Sequence, residues 1–284
     1  MIKYNYSYIL LGAFVISTIC TPSAQSALLV SERQVQQQNE QMWEQMIKTM
    51  PLSRNVSKRT LVQCVTKKMI KQLEEPYRSY DWEVKLFADS AVNAIALYVM
   101  EAGRIGVSEG IFKVVANQDE LATVIGHEII HIINKHSYEM EKRVTRSDIG
   151  VNLATMAVAG KIANQPMRSQ SDVILAQTKM SGIATMNNEL SNIALKAPYK
   201  RNMEKEADID GLLLMARTGF NPLKAMSVWK KMMKQPGGQN EPKSKFYSTH
   251  PSDEKRISDL SSTLSEALKE YNAVESKPNC GYSK

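Results

Sequence analysis

Asn117-Gln118-Asp119-Glu120-Leu121-Ala122-Thr123-Val124-Ile125-Gly126-His127-Glu128-Ile129-Ile130-His131-Ile132-Ile133 reads as one helix. Asn117 stands at the N-cap and Glu120 three residues later completes a capping-box pattern. Leu121, Val124, Ile125, Ile129, Ile132 and Ile133 surround the helix with apolar side chains, which predicts that it is buried. The polar triplet His127, Glu128 and His131 therefore sits where polar groups are costly without a partner. Residues four apart share a helical face, so His127 and His131 present two imidazoles to a single point. Glu128, one residue along, is placed to take a proton from a water that a metal ion activates. The five-residue string alone also occurs in helices whose histidines are ordinary surface or core groups. Here, however, two of only four histidines in the chain are spent at metal-ligand spacing. One Zn²⁺ per chain is the expected cofactor. His136, five residues beyond His131, points elsewhere if the helix continues, and is expected to be structural or to support a ligand.

A catalytic zinc takes three protein ligands. Tyr199 to Asp208 offers Glu204 and Asp208 four apart on one helical face, with Gly211 on about the same stripe to permit close helix packing and Glu206 roughly opposite. A charged helix face is by itself more often simply solvated. Beside a helix that lacks a carboxylate ligand, Glu204 becomes the expected third ligand and Asp208 the acceptor that orients a ligand histidine.

Working outward, Ser31 to Met50 predicts an amphipathic helix through Val35, Met42, Trp43, Met46 and Ile47, and Lys58 to Leu73 a second. Trp82, Val84, Leu86 and Ala88 then alternate with charged residues, Asn93 to Val99 tolerates β structure, and Arg104 to Val107 follows a glycine. These predict a small sheet of about three strands. Residues 165–198, rich in Ser, Asn, Gln and Met, read as an insertion with some helix. Met203 to Arg217 and Leu223 to Met233 are the next helices, and a Gly/Pro/Lys loop from Gln235 to Pro251 leads to a last helix from about Ser252. The expectation is an α+β, mostly helical chain: a metallopeptidase domain over 27–270 with an N-terminal helical extension over 27–75, and a polar tail over 271–284.

Lys3 is the only charge before Glu32, and the apolar run Ile9 to Cys20 is too short to span a bilayer comfortably. Small residues at Ala24 and Ser26 suit cleavage before Ala27, so residues 1–26 read as a signal peptide and the protein as periplasmic. A lipoprotein modified at Cys20, which Ile19 disfavours, and an uncleaved anchor are the alternatives. Beyond residue 26 only Cys64 and Cys280 remain, and an oxidising compartment would allow them to pair. Net charge is +7 in 284 residues, with 43% apolar and 23% charged residues, so the chain can bury a sizeable core. Its basic residues are scattered and lack the aromatic interleaving of RNA- or DNA-binding modules, so nucleic acid is not an expected partner. A peripheral membrane or outer-membrane protein contact suits the basic surface better.

The chain resembles the metallopeptidase family that includes HtpX, the CAAX prenyl endoprotease and the mitochondrial Oma peptidase, most of all its soluble bacterial members. The resemblance rests on Trp82-Glu83, Asn93-Ala94, Gly103-Arg104-Ile105-Gly106-Val107, Gly110, Gly126 to His131, Glu204 to Asp208 and His250-Pro251. It implies a zincin (gluzincin)-like fold, Glu204 as the carboxylate ligand, and proteolysis of misfolded or envelope proteins. Members usually carry a Pro-Gly turn after the Asn-Ala strand, where this chain has Tyr98-Val99-Met100-Glu101-Ala102. The resemblance also places His250 at the zinc site. There it either fills zinc's fourth position and keeps a peptidase latent, the favoured role, or donates to the oxyanion formed in hydrolysis. Glu128 and His250 are thus the expected catalytic pair, and His127, His131 and Glu204 the metal ligands. A zinc-stabilised chaperone or assembly factor for envelope proteins is the competing function, which would not require Glu128.

Overall fold

A computed structural model describes residues 30–146, 197–234, 250 and 254–281, with a few positions between 150 and 178. The expected signal peptide, most of the 165–198 insertion and the loop over 235–249 lie outside these residues.

Helix α1 (Glu32–Thr49) starts with a capping box in which Ser31 and Gln34 satisfy each other's backbone N–H groups. Its buried stripe is Val35, Gln36, Asn39 and Trp43. Met42 and Ile47, predicted on the buried face, are instead 48% and 37% exposed. The helix is rotated because Asn39 is used as a contact: its Nδ2 donates to Tyr98 O at 2.8 Å. Helix α2 (Val56–Ile70), capped by Asn55, buries Leu61, Val62, Val65 and Met69.

Three strands follow, β1 (Asp81–Phe87), β2 (Ala94–Val99) and β3 (Ala102–Ser108), in the order β1-β3-β2. β3 pairs parallel to β1 and antiparallel to β2, leaving β2 at an edge. The Tyr98–Ala102 segment, where the family's Pro-Gly turn is missing, extends the hairpin. Both strands continue to the Val99–Ala102 pair, and Glu101, at φ 50°, closes the turn. Alternation along β2 then separates two layers. Ile95 and Leu97 join Trp43 and Phe87 under α1, whereas Ala94 and Tyr98 join the main core under α3 (Gln118–Ile133).

α3 runs through the centre, with everything from Glu120 to Ile130 buried. Asn117 Oδ1 caps it through Glu120 N, but the reciprocal bond is displaced by one residue, since Glu120 Oε2 accepts from Ala116 N. The other oxygen of Glu120 is taken by Ser227 and Lys231 of helix α6 (Leu223–Met233), which pulls the cap one residue off the expected pattern. After α3 a further helix, α4, begins at 136 and is described to 146. Helix α5 (Ala197–Thr218) begins six residues before the expected Met203. Helix α7 (Glu254–Ala273) takes in the first residues of the predicted tail.

Beyond α7 the described residues of the tail, to 281, return to the core. Gln118 donates to Pro278 O and accepts from Cys280 N, and Cys280 is disulfide-bonded to Cys64 of α2 across 216 residues of sequence. A cross-link closing so long a loop removes much of the unfolded chain's freedom. Cys280→Ser is expected to lower the unfolding free energy by about 2–5 kcal/mol. Denaturant titration of both proteins measures this, and coincident midpoints would contradict it.

Candidate metal centre

One turn of α3 aligns the His127 and His131 rings at a centroid separation of 4.6 Å. α5 reaches them because the two helices touch through glycines. A Cβ on Gly211 would lie 2.9 Å from His127 N, and one on Gly126 would lie 2.9 Å from Gly211 O. The contact brings the Glu204–Asp208 face against the two imidazoles. His127 Nδ1 is 3.0 Å from Asp208 Oδ1, while its Nε2 is 3.4 Å from Glu204 Oε2. His250 completes the group, with Nδ1 3.0 Å from Glu204 Oε2 and 3.1 Å from His127 Nε2.

His127, His131, Glu204 and His250 thus offer four donor atoms within 4.8 Å of one another. Four neighbour separations are 3.0, 3.1, 3.0 and 3.4 Å, and His131 Nε2 to Glu204 Oε1 is 3.8 Å. A tetrahedral ion with bonds of about 2.0–2.1 Å has ligand-to-ligand edges of about 3.3 Å. His127 Nε2 has three of these neighbours, yet a ring nitrogen carries at most one hydrogen, so one proton cannot satisfy them all. Convergent lone pairs of three imidazoles and a carboxylate suit a divalent cation, and this N/O donor set at tetrahedral spacing suits zinc.

The ligands are held from behind. Asp208, whose Oδ1 faces His127 Nδ1, also accepts from Arg256 Nε at 2.6 Å and Nη2 at 2.8 Å. Arg256 is itself buried, lies 3.4 Å from Glu204 Oε2, and stacks its guanidinium on Trp229. Burial alone would raise the Asp208 carboxyl, but Arg256 overrides it and holds Asp208 below its ordinary value. Glu204 is likewise held low against the effect of burial, by His127 and His250. Burial would depress the His127 imidazole, but Asp208 and Glu204 lift it to about 9. His131 goes well below the usual imidazole value, from burial and then from the neighbouring His127 and His250. Glu128 is raised by burial, an effect that His250 and His127 oppose; among the described residues neither of its buried oxygens has a hydrogen-bond partner, and His250 Nε2 lies 3.6 Å from one of them.

The structure therefore brings together all six residues singled out from the sequence: His127, Glu128, His131, Glu204, Asp208 and His250. Glu206 lies off the Glu204–Asp208 face with 56% of its side chain exposed, but it does not simply point away, since its Oε2 is 3.3 Å from His136 Nε2. Arg256 was not legible, because nothing in Glu254-Lys255-Arg256 distinguishes it from a solvated helix start. His136 does not point away as a continuous helix would require. Asn134 ends α3 and Lys135 takes φ 53°, which turns the chain so that His136 Nδ1 lies 2.8 Å from His131 Nδ1.

Beside the ligands lies a groove of ≈ 200 Å³, bordered by Glu128, Ala94, Ala96, Met140, Lys200 and Met203. Ser108 N donates to Asn93 O, so antiparallel alternation turns the backbone groups of Ala94, Ala96 and Tyr98 away from β3. Asn39 of α1 takes the Tyr98 carbonyl, and the Ala94–Ala96 end of the edge adjoins the groove.

Comparison with known proteins gives one family. The profile of peptidase family M48 matches residues 57–264. The mitochondrial metalloendopeptidase OMA1 of Schizosaccharomyces pombe is 31% identical over 186 residues, covering 66% of this chain and 48% of that protein. The OMA1 of Arabidopsis thaliana is 32% identical over 196 residues, covering 68% of this chain and 34% of that protein. The beta-barrel assembly-enhancing protease of Escherichia coli is 24% identical over 176 residues, covering 61% and 32%. The match thus spans about half the length of the yeast relative and about a third of the other two.

Two measurements follow from the donor set. Glu204→Gln is expected to lower zinc content far more than Glu206→Gln, and the reverse order would overturn the assignment of the α5 face. The second concerns pH. A folded-state value of about 9 for His127, against 6.5 ordinarily, stabilises metal-stripped protein fully below pH 6.5 and is lost as pH rises through 9. Metal-stripped protein is expected to lose stability over that window and zinc-saturated protein to lose less, because binding requires the His127 Nε2 proton to leave. Parallel thermal melts across the window test this, and identical pH profiles would contradict it.

Proposed function

This chain belongs to peptidase family M48, and from that premise we propose that it is a zinc-dependent endopeptidase acting on unfolded or envelope proteins. The observation that carries the reading is Glu128: a buried carboxylate with no hydrogen-bond partner among the described residues, next in sequence to a ligand histidine and open to the groove. A structural role for such a group would leave its desolvation only partly offset, by His250 Nε2 at 3.6 Å.

When bound, the zinc supplies Lewis acidity, acidifying a water and polarising the scissile carbonyl. Glu128 takes the water's proton on a carboxylate oxygen and returns it to the departing amine nitrogen. Burial raises its proton affinity above that of an ordinary carboxylate, which favours its accepting the water's proton. Ala94 and Ala96 offer backbone groups to an extended substrate, which adds a strand to the edge of the sheet. Such an edge reads main chain rather than sequence, in keeping with an unfolded substrate. Asp208 and Arg256 keep His127 oriented throughout.

His250 occupies the fourth corner of the donor set, and we assign it the latch role: its side chain must leave for the metal to gain an open position. The same closed set favours the second reading, a zinc-stabilised chaperone or assembly factor that seldom cuts. An envelope location is supported by the Cys64–Cys280 bridge, which suits an oxidising compartment. Among the described residues no helix is long and apolar enough to cross a membrane. The name of the Escherichia coli relative, which joins proteolysis to β-barrel assembly, supports envelope proteins as the substrate class.

Casein digestion by the purified mature protein, with and without chelator, tests the reading. Glu128→Gln is expected to keep zinc and the fold while losing hydrolysis, and undiminished turnover would sink the mechanism. His250→Ala is expected to raise hydrolysis. A fall of about 10²-fold would make His250 an oxyanion donor instead, and no change in hydrolysis or zinc affinity would leave it structural.

A further inference from the structure

His131 is the most exposed of the four candidate ligands, with 13% of its side chain accessible against 1% for His127. Among the described residues, no carboxylate stands behind it as Asp208 stands behind His127. Its Nδ1 faces His136 Nδ1 at 2.8 Å, and His136 Nε2 lies 3.3 Å from Glu206 Oε2. His136 is only 5% exposed, whereas the Glu206 side chain is 56% exposed.

We propose that His136 is the positioning residue for His131, fixing its tautomer and ring plane as Asp208 fixes those of His127, with Glu206 orienting His136 in turn. The proton arrangement is determined from the metal outward, so the inference rests on the metal-centre reading. If His131 ligates through Nε2, its Nδ1 must carry the hydrogen. That hydrogen has His136 Nδ1 as its acceptor, which requires His136 to be neutral and protonated on Nε2. The Nε2–H then donates to the Glu206 carboxylate. Every donor along the path has one acceptor, and no two hydrogens face each other. A metal-bound histidine almost always donates its other ring N–H, and loss of such an acceptor typically weakens metal binding by about 10–100-fold.

The backbone serves this placement. A continued α3 would rotate a residue at i+5 by about 500°, some 140° away from His131. The left-handed Lys135 breaks the helix instead, and its Nζ is held by Glu32 Oε1 at 2.8 Å. Glu32 also accepts from Tyr98 OH at 2.6 Å, so the turn that delivers His136 is pinned to α1 and β2.

Zinc affinity by chelator competition, together with the visible spectrum of cobalt-substituted protein, tests the proposal on the full mature chain. His136→Leu is expected to raise the zinc dissociation constant by about 10–100-fold and to alter the cobalt spectrum. In His136→Asn, the amide oxygen takes the place of Nδ1 as acceptor, and affinity and spectrum are expected near the wild-type values. Glu206→Gln keeps an acceptor for Nε2–H and is expected to lose little. Wild-type affinity in His136→Leu overturns the proposal, and so does a His136→Asn protein as weak as His136→Leu, since packing would then be the cause. Should His136→Leu fail to fold, nitrogen-15 NMR of the zinc-loaded wild type decides. His131 protonated on Nδ1 and neutral His136 protonated on Nε2 support the proposal, and any other tautomer of His136 defeats it. Wild-type protein that takes up no zinc would overturn the metal-centre reading itself, a result distinct from these.

Discussion

The contact between Gly126 and Gly211 sets the distance from which everything at the centre follows. With any larger side chain at either position, α3 and α5 separate, because a Cβ at each would fall within 3.0 Å of the opposing backbone. Helices that meet backbone to backbone bring short carboxylates within reach of imidazoles on the neighbouring helix. Glu204 and Asp208 flank that contact on one side of α5, and His127 and His131 flank it on α3. Metal-ligand geometry is thus a consequence of a missing pair of methyl groups.

Bringing these groups together in a buried site creates an electrostatic problem that the surrounding residues solve. Two carboxylates, three imidazoles and Glu128 share the interior of the domain, and isolated charges there would be strongly disfavoured. Arg256 answers Asp208 through two hydrogen bonds and lies 3.4 Å from Glu204 Oε2, the same oxygen that faces His127 and His250. Glu128 has no hydrogen-bond partner among the described residues, only His250 Nε2 at 3.6 Å, and burial raises its proton affinity against the pull of His250 and His127. A group left unsatisfied in an otherwise satisfied network is where proton transfer is best supported.

The remaining elements keep this arrangement in place and give it an approach. The sheet supplies an edge beside the metal, and α1 covers the far end of that edge through Asn39. Glu120 ties the start of α3 to α6, and Gln118 ties it to the returning C-terminal segment, whose Cys280 is locked to α2. The helix that carries His127, Glu128 and His131 is therefore fastened at both ends, since Lys135 and Glu32 hold the other.

Local pattern was sufficient for much of this. The 3.6-residue repeat identified α3 as a buried helix, the four-residue spacings put His127 with His131 and Glu204 with Asp208, alternation marked the first strand, and a β-tolerant run and a glycine-led run marked the other two. Each of these depends only on neighbours in sequence. The family resemblance added His250, whose setting in the chain carries no such regularity. Tertiary structure alone decided three things. It chose Asn39 over Met42 for the buried face of α1, because a backbone carbonyl at Tyr98 needed a donor. It placed Arg256 behind Asp208, because a buried carboxylate must be neutralised by whichever cation the packing brings near. It returned His136 to His131, because a single residue in the left-handed region redirects the chain, and no periodic pattern records where a helix stops being one.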